Sequence, residues 1–540
     1  MESKWPFTVW FWSLSDRQSR PEDDNEPSWR NSVIQLRKPV VLAQAIFILS
    51  KLGPKLILNL TFAFTFAMAF LTVEDMKMAF SLFCCVYGIG TLGMPGNYAR
   101  AGYAWASVAL VFMAAVNTYA TWCISKVMLV APKNVLTLGD IGEWSMGGFG
   151  RWAVVISQML VCTMIPIVFL VLGGSLLTTL FPDTYNATTW IVFMGVVLLP
   201  VCLIPTLKEG AGAAAAGCIG TLVADAVALY LLVTNVNKSN DGLSTPSPDL
   251  TFKGVTTVFG NLALAYGAGI VIPALQREHS DPTRMPRIIL VTMTFISLCF
   301  LAVSITGVSA VGCQIPGNLL FAVAGTKLGF NASRGGVVIA FLFMQLHITI
   351  AFAVIMFPAF FIAERLIFGF HKHSFEVLDE AAAYHDVEAI QEEKKPEVHE
   401  GPDMTASYNI PGNYRKAALL RIVIVAICTG IAIAWQDHFG DLLDFVGASS
   451  TATCCMILPI VFYLKTFHAT ISLPEKLFAY VSVLVSIFLA IYVSITTGKA
   501  LFAPDDKDPS IIFPFCSGDY QKMVYTNTTY FNHKRALYGY

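Results

Sequence analysis

The amino-acid sequence predicts an all-α, polytopic membrane protein, and three observations predict it. Only 13% of the 540 residues are charged and 55% are hydrophobic, against about 25% charged in soluble domains. The mean hydropathy is +0.63, more apolar surface than a soluble domain can hide, so the natural solvent is lipid. Apolar runs of roughly 20 residues, the length that crosses the hydrocarbon, recur eleven times from residue 78 onward. Lipid offers no partner to a free backbone N–H or C=O, so each run is predicted to be a transmembrane helix.

Residues 1–77 precede the first run. They carry Trp5, Trp10, Trp12 and Trp29 among charges, then apolar stretches at 40–50 and 56–72 split by Lys51-Leu52-Gly53-Pro54-Lys55. An interfacial hairpin, an extra span and sequence ahead of a true translation start all fit this pattern, and a membrane-associated, non-spanning tail is preferred. No short apolar run with a small-residue cleavage site follows the start, so no cleaved signal peptide is expected. The transmembrane domain covers 78–497, with spans near 78–99, 103–130, 152–181, 188–206, 212–234, 255–275, 288–312, 335–364, 416–435, 442–464 and 476–497. The longest connection, 365–415, contains EVLDEAAAYHDVEAIQEEKKPEVHE and reads as a solvated cytoplasmic loop. A second polar loop spans 236–251, and 498–540 is a C-terminal tail.

Placing the N-terminus in the cytoplasm puts the glycosylation sequons at Asn186, Asn237, Asn331 and Asn527 outside, and predicts a glycoprotein with an outside or lumenal C-terminus. The sequon at Asn59 conflicts with this placement. The positive charges agree with it: Lys133, Arg151, Lys208, Arg277, Arg284, Arg287, Lys465 and Lys476 fall inside, against Arg100, Lys238, Lys253, Lys327 and Arg334 outside. Plasma and vacuolar membranes both remain open.

The net charge of −1 gives no reason to expect a nucleic-acid partner. The 12 cysteines lie mostly in apolar runs, as in the pairs Cys84–Cys85 and Cys454–Cys455, and show no metal-ligand spacing. No cofactor, resident metal, P-loop or nucleophile elbow is expected, and Lys77 has no phosphate-loop glycines beside it. The expected partners are lipid and a small molecule, with no obligatory protein partner.

Two segments carry the chemistry. The first span contains GIGTLGMP, with Gly88, Gly90, Gly93 and Pro95; the sixth contains GAGIVIP, with Gly267, Gly269 and Pro273. Glycine weakens a helix interior and proline removes a donor, so both helices are expected to break there. Five spans separate them, an odd number, which gives two inverted halves of five spans with the eleventh appended. Broken helices at matching places in inverted halves mark transporter binding sites. Half-helix ends attract a carboxylate at the N-terminal pole, and exposed carbonyls hold an ammonium or a coupling ion. Close small-residue packing is the competing explanation.

These segments resemble the amino acid/auxin permease family, most closely its plant-type branch, within the amino acid-polyamine-organocation superfamily. The resemblance rests on residues 88–95, GNLALAYGAGIVIPALQ at 260–276, LHITIAFAVIMFPAFFIAE at 346–364, Gly139–Gly142 and Leu172-Gly173-Gly174. It implies an eleven-helix, leucine-transporter-type fold and secondary active transport of amino acids. It implies that Gly88, Ile89, Gly90, Thr91 and Gly93 face the substrate carboxylate and amine. Tyr266, Gly267 and Ala268 would face the amine and side chain. Sodium-coupled relatives carry threonine seven residues before the eighth-span proline, where this chain has Ala351, with Thr349 two residues earlier on another helix face. Proton coupling is therefore expected over sodium coupling.

Asp225 in the fifth span and His347 in the eighth are ionisable groups at bilayer depth. Such groups are costly and face the protein interior or water. With Thr349 they are the proton-coupling candidates; a buried carboxyl and a core histidine satisfied by neighbours are the alternatives. Glu364 and Asp444 sit at span ends and read as interfacial anchors. Cys313 and Cys516 are the cysteines that fall outside or at the outer boundary, as a disulfide or as two thiols. The expected activity is amino acid transport by alternating access. A sensor of the same fold that signals without net transport is the alternative, and a channel is disfavoured by the scarcity of polar stripes.

Overall fold

Thr72 and Asp75 open the first described helix with a reciprocal cap. The Thr72 hydroxyl accepts from the Asp75 N–H at 3.2 Å and the Asp75 carboxylate from the Thr72 N–H at 2.8 Å. In this computed structural model the described residues are 71–132, 135–205, 210–237, 245–324, 328, 332–370, 406–503, 511–521 and 524–525. The tryptophan-rich tail, the sequons at Asn59, Asn331 and Asn527 and the acidic stretch of the 365–415 loop lie outside them, as does the side chain of Asn237.

Among the described residues the regular structure is helical, apart from one isolated bridge between Pro248 and Cys516. The expected first span is α1 (Val73–Val86), a tight 3-10 turn over Ile89–Gly93, and the start of α2 (Met94–Val130). Its helix begins five residues before the expected 78, because the Thr72 cap sets the start. The second span is the rest of α2, separated from the first by a kink at Gly102, where φ is 68°. The third is α3 (Leu138–Leu180), kinked at Gly147 and capped by Thr137 and Asp140. α4 (Ala187–Leu203), capped by the exposed Asn186, and α5 (Gly210–Asn237) follow.

The sixth span is broken like the first: α6 (Phe252–Ala265), a turn at Gly269–Val271, and α7 (Ile272–Glu278). Then come α8 (Met285–Val311), the short α9 (Leu319–Val323), α10 (Arg334–Phe368) and α11 (Asn413–Ala434). α12 (Phe439–Val446) continues through two π-helical turns, Gly447–Thr451 and Thr453–Ile457, into α13 (Leu458–Phe467). α14 (Leu473–Phe502) is the last span. By length and composition nine of the described helical segments are long and apolar enough to cross a membrane. The count differs from eleven because the first segment runs into the second without a gap, and because α4 has only 17 residues.

Contacts at the helix ends show that the spans alternate in direction. Arg334, at the start of α10, donates to the Leu180 carbonyl at the end of α3. Arg421 on α11 ties together the opposite ends. Its guanidinium donates to the carbonyls of Cys202 and Ile204 at the C-terminal end of α4 and to Glu364 on α10 at 2.8 Å. Glu364 is therefore no interfacial anchor: its side chain is 0% exposed and its partner's is 2%. The Tyr408 hydroxyl donates to the other Glu364 oxygen at 2.6 Å, and the rings of Phe357, Phe360 and Phe361 surround the guanidinium. The carbonyl ends of α4 take the charge that favours a helix C-terminus.

Removing one partner of a buried pair costs about 3–5 kcal/mol. Arg421→Met is accordingly expected to lower the thermal unfolding midpoint of the purified protein sharply, and Arg421→Met with Glu364→Gln to recover most of the loss.

Candidate substrate site

The two breaks face each other. The start of α1 lies beside the chain that follows α7, since Asp75 receives hydrogen bonds from Arg284 Nε at 2.9 Å and contacts His279 Nε2 at 2.9 Å. The far end of the first span lies beside the start of α6, since Arg100 donates to Thr257 at 3.3 Å. The first and sixth spans are thus antiparallel, the relation that an inverted pair of halves requires. Gly90 passes close to Ala265: a Cβ on Gly90 would stand 2.5 Å from the Ala265 Cβ and 2.7 Å from its Cα. Glycine is needed there because backbone meets backbone.

A cavity of about 150 Å³ opens at the breaks. Its wall takes Val86, Gly88, Ile89 and Gly90 from the first break and Leu264, Ala265, Gly267, Ile270 and Val271 from the second. Both half-helix C-termini and both following N-terminal turns therefore border one space, so each pole of a zwitterion has an oppositely charged helix end to meet. Phe169 and Ile165 on α3, Gly217 on α5 and His347, Ile350, Ala351 and Ile355 on α10 close the sides. Apart from His347 and the thiols of Cys84 and Cys85, the side chains of the wall are apolar. The wall residues of the first span precede Thr91, and those of the sixth follow Ala263, so the cavity reaches from the breaks toward the Asp75 end.

Of the residues expected at the site, Gly88, Ile89, Gly90, Gly267 and His347 line this cavity. Thr91 is buried behind it, its hydroxyl donating to the Gly88 carbonyl at 3.0 Å. A Cβ on Gly93 would strike the Asn261 amide, so Gly93 serves the packing of the first span on the sixth. Tyr266 points to α8, its hydroxyl bonded to Ser297 at 2.8 Å, and Ala268 is 1% exposed. The Thr349 hydroxyl donates to the Gln345 carbonyl within its own helix at 2.9 Å. Ala351, by contrast, lies in the wall and offers no side-chain oxygen.

His347 Nδ1 lies 3.0 Å from the Gly217 carbonyl, so it carries the proton and donates. The ring meets Phe169 edge-on at 6.1 Å. Its Nε2 faces Gly88, where a Cβ would stand 3.3 Å away. Asp225 is 3% exposed; one carboxyl oxygen accepts from the Tyr87 hydroxyl at 3.1 Å, and the other has no hydrogen-bond partner among the described residues. Tyr87 caps the C-terminus of α1 at the edge of the break and stacks on Phe83. The sequence reading missed Tyr87; its signal was a hydroxyl-bearing residue directly ahead of Gly88.

The Arg100 end of the breaks is shut by a second missed group. Arg100 makes a two-pronged ion pair with Asp444 at 2.5 and 3.1 Å, and donates to Asn97 at 2.8 Å. Asp444, 4% exposed, is thus a buried partner on α12 and no interfacial anchor. Opposite charges at the ends of spans with matching depth were the available signal.

Residues 72–499 match the family described as transmembrane amino acid transporter protein. The chain belongs to this family. Among similar members, "Amino acid transporter AVT1I" of Arabidopsis thaliana is 21% identical over 403 residues, 72% of this chain and 86% of that protein. "Amino acid transporter AVT1J" of the same plant is 21% identical over 389 residues, 70% and 79% of the two chains. These relatives are transporters and not enzymes by name. The crystal structure of MhsT in complex with L-phenylalanine aligns with a TM-score of 0.46 at 13% identity, over 78% of this chain and 98% of that one. The structure of Mhp1, a nucleobase-cation-symport-1 family transporter, aligns at 0.44 and 12%, over 86% and 97%. This family member is an integral membrane protein, its long apolar helices having lipid as their solvent.

Gly90→Val is expected to cut uptake at least tenfold with normal amounts of protein in the membrane, since overpacking costs about 1–3 kcal/mol. Gly148→Ala, where a Cβ meets nothing within 4 Å, is expected to leave uptake unchanged. Asp75 lies ahead of the apolar run, and Arg284 beside it holds its carboxyl well below the usual carboxylate range. A depressed folded value gives stabilisation that is lost only as pH falls through that value. Asp75→Asn is therefore expected to weaken the contact between α1 and the chain after α7, while the shape of the uptake profile between about pH 5 and 8 stays that of the wild type.

Proposed function

We propose that this chain is a secondary active transporter of neutral amino acids with apolar side chains, working by alternating access and driven by a proton gradient. The observation that carries the reading is the cavity bounded by both helix breaks, with helix poles for the α-carboxylate and α-ammonium and an apolar remainder. A charged substrate side chain would lose its hydration there without gaining a counter-charge. The zwitterion carboxylate would sit at the turns starting at Ile89 and Gly269, the ammonium near the last carbonyls of α1 and α6. Gly88, Ile89, Gly90 and Gly267 would contact it through backbone, while Thr91, Gly93, Tyr266 and Ala268 hold the breaks in shape.

Ala351 supports protons over sodium: the position that would supply an oxygen to a cation faces the cavity as a methyl group. Asp225, bonded to Tyr87 at the break, and His347, facing Gly88, are the groups we assign to proton coupling, with Thr349 a helix-bonded neighbour. Asp225 touches the element that must move, because Tyr87 ends α1.

The N-terminus is assigned to the cytoplasm. Lysine and arginine bias, the sequons and a disulfide between Cys313 and Cys516 at the Arg100 end support this, since disulfides persist in oxidising compartments. The cavity then opens inward, with the Arg100–Asp444 pair closing the outer path, as one state of an alternating cycle. Both plasma and vacuolar membranes fit.

Uptake by purified protein in vesicles, with separate proton and sodium gradients, tests the proposal. Leucine-like and aromatic amino acids are expected to accumulate under a proton gradient, and lysine and glutamate not to. Accumulation that needs sodium and ignores a proton uncoupler would refute the coupling, and binding without net flux would identify a sensor. Asp225→Asn is expected to flatten the pH dependence of uptake while substrate binding persists.

A further inference from the structure

Residues 511–521 and 524–525 are folded against two loops at the Arg100 end, beyond the 72–499 that the family match covers. Cys516 is disulfide-bonded to Cys313 across 203 positions of sequence. Asp249 N–H donates to the Phe515 carbonyl at 3.1 Å, and Cys313 N–H to the Pro246 carbonyl at 3.0 Å. The Gln314 amide, 1% exposed, donates to the Tyr520 carbonyl at 3.0 Å and accepts from the Tyr525 N–H at 2.8 Å. Gln521 knits the segment itself, bonding the backbone of Ile512, Phe513 and Cys516. Phe513 and Tyr525 are 2% and 3% exposed, so the segment is packed, not draped.

Both loops it joins touch the closed outer side. Pro248 and Leu250 lie against Gly102, the hinge between the first and second spans. The 312–323 loop passes over the first break: a Cβ on Gly96 would stand 3.1 Å from the Gly317 backbone, and α9 packs on the Ile89–Gly93 turn and on α5. Leu319, Leu320, Ala322 and Val323 are buried there.

We propose that residues 511–521 with 524–525 are an outer strap: through Cys313–Cys516 and Gln314 they hold the 312–323 loop and the 246–250 loop together over the break, and so favour the outward-closed state. Opening on the Arg100 side then requires the two loops to part or to travel as one body. A fixed tether favouring one of two states lowers the population of the other, and the apparent affinity on that other side falls in proportion.

The test uses the full chain in membranes. Cys313→Ser with Cys516→Ser removes the covalent tie, and Gln314→Leu removes the polar tie while leaving the disulfide. Both are expected to lower the KM for substrate offered on the Arg100 side by about threefold or more, and to slow labelling of the cavity-lining Cys85 by a membrane-permeant thiol reagent, read by peptide mass spectrometry. If the cysteine variant fails to reach the membrane, the folded wild type is treated with a phosphine reductant and loss of the bond confirmed by mass. Unchanged KM and unchanged Cys85 labelling in the Gln314 variant and in the disulfide-free protein would overturn the strap. The readout needs only a transported substrate: failure of the proton-coupling assignment shows in the gradient experiment and leaves this result standing.

Discussion

The structure depends on one constraint: in lipid, a backbone N–H or C=O without a partner costs several kcal/mol. A helix that breaks inside the bilayer must therefore bring its broken ends to protein or to a water-filled space. Here the two breaks, at Tyr87–Gly93 and Tyr266–Val271, are brought to each other. The contact is tight enough that Gly90 has no room for a methyl group against Ala265. Everything else that surrounds the site follows from covering these ends. α3, α5 and α10 supply the apolar sides, and the two π-helical turns between α12 and α13 bring Cys455 against Gly269. The cavity is what remains where the cover is incomplete.

The same constraint explains where the charges go. Among the described residues, buried carboxylates at the span ends are joined to arginines of other segments: Asp75 with the partly exposed Arg284, Asp444 with Arg100, Glu364 with Arg421. Each pair links segments far apart in sequence and near together only in the fold. A buried pair is weak as a source of net stability, but it specifies which helix ends meet. Arg100–Asp444 fixes the first span to α12 on one side of the breaks; Asp75–Arg284 fixes α1 to the chain after α7 on the other. A pair that fixes one arrangement would have to break for another, so under the proposed alternating cycle the polar contacts on both sides of the breaks are the ones that would be exchanged.

Much of this was legible in the sequence because period and composition are local. Eleven apolar runs gave the positions of the spans, and glycine and proline in 88–95 and 267–273 located both breaks. The odd spacing gave their opposed direction, and the Arg100–Thr257 and Asp75–Arg284 contacts show it. What was hidden is what depends on side-chain direction. Glu364 and Asp444 sit at span ends where a charge can reach the headgroups, and only the neighbouring helices decide that they turn inward to an arginine. Thr91 and Tyr266 lie inside the break motifs, yet one bonds the backbone behind the cavity and the other bonds α8. The role of Tyr87 was hidden because its partner Asp225 is 138 residues away. The pairing of Cys313 with Cys516 was one of two open outcomes, since distance in sequence says nothing of the fold around the tail.

The asymmetry of the site carries the mechanism further than the motifs do. The two halves are inverted, so a symmetric structure would treat both sides of the membrane alike. This one does not. On the Asp75 side the breaks open onto a space bordered by small and apolar residues, and Asp225 and His347 stand at its edge or just behind it. On the Arg100 side the same breaks are filled by Asn261 against Gly93, by the Gly317 backbone against Gly96, and by a salt bridge. In the proposed cycle the first side would change by moving α1, a 14-residue helix ended by Tyr87. The second would change only if loops tied by hydrogen bonds and a disulfide part or move together. A short helix is the lighter body, and its end is bonded to a carboxyl buried in the bilayer. Under the proposed proton coupling, Tyr87–Asp225 is where loading of a proton and motion of α1 would act on the same bond.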